Sequence, residues 1–281
     1  MTPLNYLILA ALLIGWGCTT TQNSAYEYDP SGPPPGHSNH GEAFNKGPRQ
    51  AAYLMGTTSN VSFPITTESD EAQAFFNQGV GQLHGFWYLE AERSFRQVLK
   101  IHPGHPMAYW GMAMANANNR TRAQPLIKKA VEDRNLVSER ERLWIDAMTA
   151  YLKESDSKKR KAARIKAYQS IAEKSPDDIE AQAFYALALY GDVRDKKNYD
   201  DIEKRIAAIL AKNPNHPCHH YRIHLWDYKD AKRALPSVDQ CGQAAPGIAH
   251  MWHMPGHILS RLKRYDDAAW QQEASARVDH A

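Results

Sequence analysis

The stretch that decides the fold is Phe75–Phe95, FFNQGVGQLHGFWYLEAERSF. It places Phe75, Gly79, Tyr88, Ala91 and Phe95 in one row, closed by Pro103. Far downstream Trp252, Gly256, Tyr265 and Ala268 repeat the first four offsets. An aromatic, a small residue and a second aromatic at fixed intervals on either side of a Gly break describe two antiparallel helices and their turn. Reuse of that spacing makes the chain a stack of such units.

Working outward, helix signals divide the rest. Ser69 or Asp70 can cap a helix through Phe75, Phe76, Val80 and Leu83, broken at Gly85. A partner helix follows from about Leu89 to Ile101. Pro106 suits a first helical turn, and its helix pairs with one near 123–133. Further pairs are predicted at 139–152 with 158–174, 179–190 with 200–212, 217–228 with 230–243, and 250–262 with 266–277. The expected fold is therefore all-α, a superhelical array of about six antiparallel helix hairpins covering 69–281. The chain stops at Ala281 just past a helix, with no polar closing helix. The array is thus expected to be incomplete at its C-terminus, or to self-associate there.

Before the helices, residues 19–68 read as a flexible linker, with Pro33-Pro34-Pro35 and many Gly, Ser and Asn, in which Val61-Ser62-Phe63-Pro64-Ile65 is extended by its Pro and apolar enough to pack on the first helix. Residues 1–18 read as an export signal. Leu4 to Trp16 is apolar but short for a bilayer span. It ends in Gly17-Cys18 followed by a polar tether, which resembles a bacterial lipoprotein signal. That resemblance makes Cys18 the lipidated residue and places the protein on a bacterial membrane, facing the periplasm or exterior, attached only through the lipid. In an exported chain Cys218 and Cys241 form a candidate disulfide, with two separate buried thiols as the alternative. The net charge of +3 is too near balance to argue for a nucleic-acid partner, and none is expected.

The Gly-Tyr-Ala-Phe-Pro row resembles the tetratricopeptide repeat. The strings "MAYWGMAMANAN", "HPCHHYRIHLWDY" and "HMPGHILSRLKRYDDAA" also resemble a bacterial tetratricopeptide group of poorly defined activity. The resemblance implies a concave groove that holds a peptide, partner protein or small ligand, without catalysis. By family register, His250, His253 and His257 fall on groove-facing places, as does His84, and Trp110 joins them as a ligand contact. His220 and His224 fall on packing places and are expected to support the others.

Thirteen histidines are many for this length, and six lie in two short strings. His220 and His224 share a helix face, as do His253 and His257. Such i,i+4 pairs can bind one metal ion through two imidazoles. The alternative function is therefore a metal-binding protein or metalloenzyme. His220, His224, His253 and His257 would be its ligands, with Asp227 a carboxylate partner, and zinc, copper or iron the ion. Pro255 is expected either to kink its helix or to start it. No nucleophile constellation, phosphate-cradling Gly loop or H-E-x-x-H string is present.

Overall fold

The computed structural model describes residues 47–280 except 49 and 193–195. The export signal, Cys18 and the linker as far as residue 46 lie outside the described residues. The described chain is all-helical, with twelve α-helices: α1 (Asp70–His84), α2 (Tyr88–Ile101), α3 (Pro106–Ala115), α4 (Arg120–Glu132), α5 (Glu139–Lys153), α6 (Ser157–Lys174), α7 (Ile179–Tyr190), α8 (Lys196–Lys212), α9 (Cys218–Trp226), α10 (Leu235–Ala244), α11 (Ala249–Arg261) and α12 (Tyr265–Asp279). Two 3₁₀ turns, Arg134–Leu136 and Ala231–Ala234, precede α5 and α10.

Local chemistry sets the boundaries. Ser69 Oγ accepts from the Ala72 N–H at 3.2 Å and caps α1. Ser138 and Glu141 form a capping box on α5, satisfying two backbone donors that a helix start leaves bare. α11 runs through Pro255 without a break, so His250, His253 and His257 are all helical.

Each helix packs against the next, and α1, α3 and α5 also touch in sequence, as do α7, α9 and α11. These odd-numbered helices are buried deeply. Eight of ten residues of α3 and eight of nine of α9 are buried, whereas α6 buries only Tyr168, Ile171 and Ala172. A helix apolar on every side belongs inside, and one with a single apolar stripe belongs outside. Glycines permit the crossings: a Cβ on Gly79 would stand 2.7 Å from the Phe95 ring, and one on Gly111 would stand 2.5 Å from it.

The centre between the odd-numbered helices is filled. Phe63 lies 5.3 Å from Phe76, 5.4 Å from Trp110 and 5.2 Å from Trp144 by ring centroids. Phe184 closes the cluster, 5.4 Å from Trp144. Phe63 belongs to the segment preceding α1, which is bound in place rather than loose. Its N–H donates to Asn77 Oδ1 at 2.9 Å, that of Ile65 to Gln73 Oε1 at 3.0 Å, and that of Thr66 to Glu141 Oε1 at 2.8 Å. Farther back, the Gly247 N–H donates to the Thr57 carbonyl at 2.8 Å. The expected linker therefore ends well before residue 68, because Val61, Phe63 and Ile65 supply an apolar face that the helices bury.

Two sequence expectations change here. Trp110 is fully buried in the aromatic centre and faces no groove. Cys218 and Cys241 are buried free thiols, so the candidate disulfide is not formed. Both sulfurs pack in the core around α9 and α10 as small apolar groups, and burial raises the Cys241 thiol, keeping it protonated. Among the described residues no helix is long and apolar enough to cross a membrane.

Candidate metal centre

Histidines concentrate where the end of α1 meets α7, α9 and α11. The contact is close: a Cβ on Gly85 would stand 2.8 Å from Ile248, the residue capping α11. The buried histidines here and beside α3 fall into two kinds.

In the first kind both ring nitrogens are used. His105 caps α3, accepting from the Met107 N–H at 3.1 Å, while its Nε2 donates to the Thr66 carbonyl at 3.0 Å. His219 bonds Ser237 Oγ at 2.9 Å and the Pro214 carbonyl at 2.8 Å. His84 and His216 flank Glu180, with Nε2 to carboxylate distances of 2.7 and 3.2 Å. The second nitrogen of His84 meets the Tyr221 hydroxyl, and that of His216 accepts the Cys218 N–H at 3.1 Å. Burial pushes the Glu180 carboxyl up, but His216 and His84 outweigh it and hold it at about 2. His84, Glu180 and His216 lie close enough to share an ion. Their donors and acceptors already satisfy one another, however, as in a structural network. His84 is fully buried in it, which corrects its expected place as a groove contact.

The second kind is His220, His224 and His250. Each has a buried Nε2 with no hydrogen-bond partner, and ligand atoms of the three lie within 4.8 Å of one another. Leaving one such nitrogen dry and unpaired costs about 1–3 kcal/mol, a cost that the partnerless Trp110 and Trp144 Nε1 atoms also carry. His220 and His224 come from successive turns of α9, and His250 from the first turn of α11. The tautomer of His220 is fixed from behind. Its Nδ1 donates to the His84 carbonyl at 2.7 Å, one of the C-terminal carbonyls that α1 cannot satisfy within itself. The free Nε2 is therefore a lone pair, and the rings of His224 and His250 lie 4.6 and 4.9 Å away by centroids. Burial, followed by the proximity of His224 and His250, pushes His220 well below the usual imidazole range. Burial and neighbouring imidazoles likewise hold His224 and His250 at about 4. All three are thus neutral near pH 7 and available as ligands.

Phe86 closes one side of the cluster, an element the sequence reading missed. Its ring centroid lies 4.4 Å from His220, 5.4 Å from His224 and 6.2 Å from His250. It adopts φ of 57° in the turn after α1, the same left-handed turn that Lys263 makes with φ of 61° after α11. The only signal for it in the sequence is that the Gly85 break is followed by a bulky residue.

His253 and His257 lie next along α11, partly exposed. The His253 ring is 5.8 Å from that of His250. The four-ligand set expected from sequence is therefore arranged differently: His250 takes the third place beside His220 and His224, and His253 and His257 form a separate pair. Asp227 serves that pair from behind. It lies 3.2 Å from His257 Nδ1 and also receives the Arg261 guanidinium. No protein-family model matches the chain, and no curated protein matches it.

Proposed function

We propose that this is a metal-binding protein in which His220, His224 and His250 hold one divalent ion of zinc or copper type. The observation that carries this reading is that His220, His224 and His250 each hold a buried Nε2 with no partner and offer ligand atoms within 4.8 Å of one another. Neutral imidazoles suit zinc, copper or iron and disfavour the hard ions magnesium and calcium, which prefer oxygen. Three histidine ligands leave a tetrahedral ion one open position, so the ion would carry an exchangeable water or small ligand. Phe86 screens one side from solvent, and the His84 carbonyl orients His220 in the way that outer groups orient metal-bound imidazoles.

On the same reading, the chain is a tetratricopeptide-like array of six hairpins, a reading that the consecutive and alternate helix contacts support. Its inner surface is occupied by the chain's own Phe63 segment near α1, α3 and α5. That leaves the α9–α11 end as the place for a ligand, at the bacterial envelope if Cys18 is lipidated.

The test is metal analysis of the purified protein, stripped with chelator, reloaded with zinc or copper(II) and desalted. The wild type should retain a tightly bound ion that His224→Ala and His250→Ala lose while keeping wild-type helicity. Retention of the same ion by both variants would remove the proposal.

A further inference from the structure

The pair left over, His253 and His257, has its own unfilled requirement. Their Nε2 atoms face each other at 2.8 Å. Behind each ring stands an acceptor. His257 Nδ1 is 3.2 Å from the Asp227 carboxylate, which is 4% exposed and cannot donate when ionised. His253 Nδ1 is 2.5 Å from Gln272 Oε1. The Gln272 amide cannot be turned round, because its Nε2 donates to the His253 carbonyl at 3.1 Å. Both Nδ1 atoms therefore carry a proton, and the 2.8 Å between the two Nε2 atoms is met by a cation, either a proton shared in an N–H···N hydrogen bond or a metal ion.

The repeat row shows how specifically the pair is built. Extended by one place, the row that gives Phe95 in the first hairpin gives Gln272 in the last. The crossing is otherwise the same: a Cβ on Gly79 would meet Phe95, and one on Gly256 would stand 2.1 Å from Gln272 Nε2. By the same offset, His253 and His257 stand where the first hairpin has Phe76 and Val80, both fully buried apolar residues. Three core positions are thus replaced together by two imidazoles and the amide that orients one of them.

We infer that His253 and His257 form a second metal position, binding a further zinc- or copper-type ion through their Nε2 atoms. A divalent ion at about 2.0–2.1 Å from each of two imidazole nitrogens at the tetrahedral angle separates them by about 3.3–3.4 Å, so the pair opens by about half an ångström from its 2.8 Å spacing to take the ion. The Asp227 carboxylate behind one ligand and the Gln272 amide behind the other are the outer partners such ligands need. Two protein ligands leave the remaining positions to water or a bound substrate. This ion is therefore weaker and more exchangeable than the one on His220, His224 and His250. The inference uses different ligands from that site and does not depend on it.

Zinc titration by calorimetry, alongside imidazole ¹⁵N NMR of the same chelator-stripped full chain, tests it. The wild type should take up two ions. His253→Ala and His257→Ala should abolish the weaker and leave the tighter. Gln272→Met, which removes only the group behind His253, should weaken it about 10–100-fold. Uptake of a single ion that is lost in His224→Ala would overturn the second position while upholding the first. A single ion lost only in His253→Ala and His257→Ala would uphold this inference and refute the three-histidine site. Nε2 resonances of His253 and His257 that ignore zinc and report one shared, strongly deshielded proton would also overturn it.

Discussion

Replacing His250 with Leu should move the melting temperature in opposite directions with and without metal. In the metal-free protein, His250 contributes a buried Nε2 with no partner. Such a group costs about 1–3 kcal/mol, and Leu of similar volume removes it while adding apolar contact to Phe86. His250→Leu should therefore stabilise the stripped protein by about 1–2 kcal/mol, or roughly 2–8 °C at about 2–4 °C per kcal/mol for a domain of this size. With zinc at about a thousand times its dissociation constant, binding stabilises the wild type by about 4 kcal/mol, or roughly 8–16 °C. The variant, reduced to two imidazoles at that site, should lose most of this. Scanning calorimetry in chelator and in zinc gives the four melting temperatures. The order should be variant above wild type in chelator and wild type above variant in zinc. Equal destabilisation of the variant in both buffers would mean that His250 is a packing residue, and the reasoning would fail.

Other perturbations separate the metal cluster from its support. Because the folded Glu180 carboxyl sits at about 2, below its ordinary 4.5, its stabilising contribution is complete above pH 4.5 and is lost as pH falls from there towards 2. An acid titration of stability should show that slope, and Glu180→Gln should abolish it. Phe63→Ala should destabilise the fold by about 3–5 kcal/mol in urea unfolding, since the ring is fully buried among Phe76, Trp110 and Trp144; a change below 1 kcal/mol would mean that the segment is dispensable. Gly111→Ala should cost about 1–3 kcal/mol by forcing a Cβ into the Phe95 ring, measured in the same way.

Much of the helical layout was legible because caps and breakers are local. Ser69, Pro106, Ser138 and Gly85 mark helix ends through chemistry confined to a few residues. The histidine strings were legible as i,i+4 faces for the same reason. What periodicity could not give was the third dimension. His250 joins His220 and His224 only because the end of α1 packs against the cap of α11, a contact between residues more than 160 positions apart in sequence. Family register puts His84 on a groove-facing place and the sequence sets Trp110 beside it, yet both are buried, His84 against Glu180 of α7 and Trp110 against Phe63 of the segment before α1. Residues 51–68 read as linker because they lack helical periodicity and are broken by Gly56 and Pro64. Val61, Phe63 and Ile65 are apolar enough in sequence to pack on the first helix, but only the fold shows Phe63 entering the aromatic centre with Trp110 and Trp144. Phe86 escaped because left-handed φ at a bulky residue has no sequence signature.

The most direct test of the central claim is anomalous diffraction at the zinc or copper edge from crystals of the reloaded protein. The account predicts a peak about 2.0–2.1 Å from the Nε2 atoms of His220, His224 and His250, beside the Phe86 ring. A stoichiometrically loaded crystal with no peak at that point, or with its strongest peak elsewhere, would contradict it.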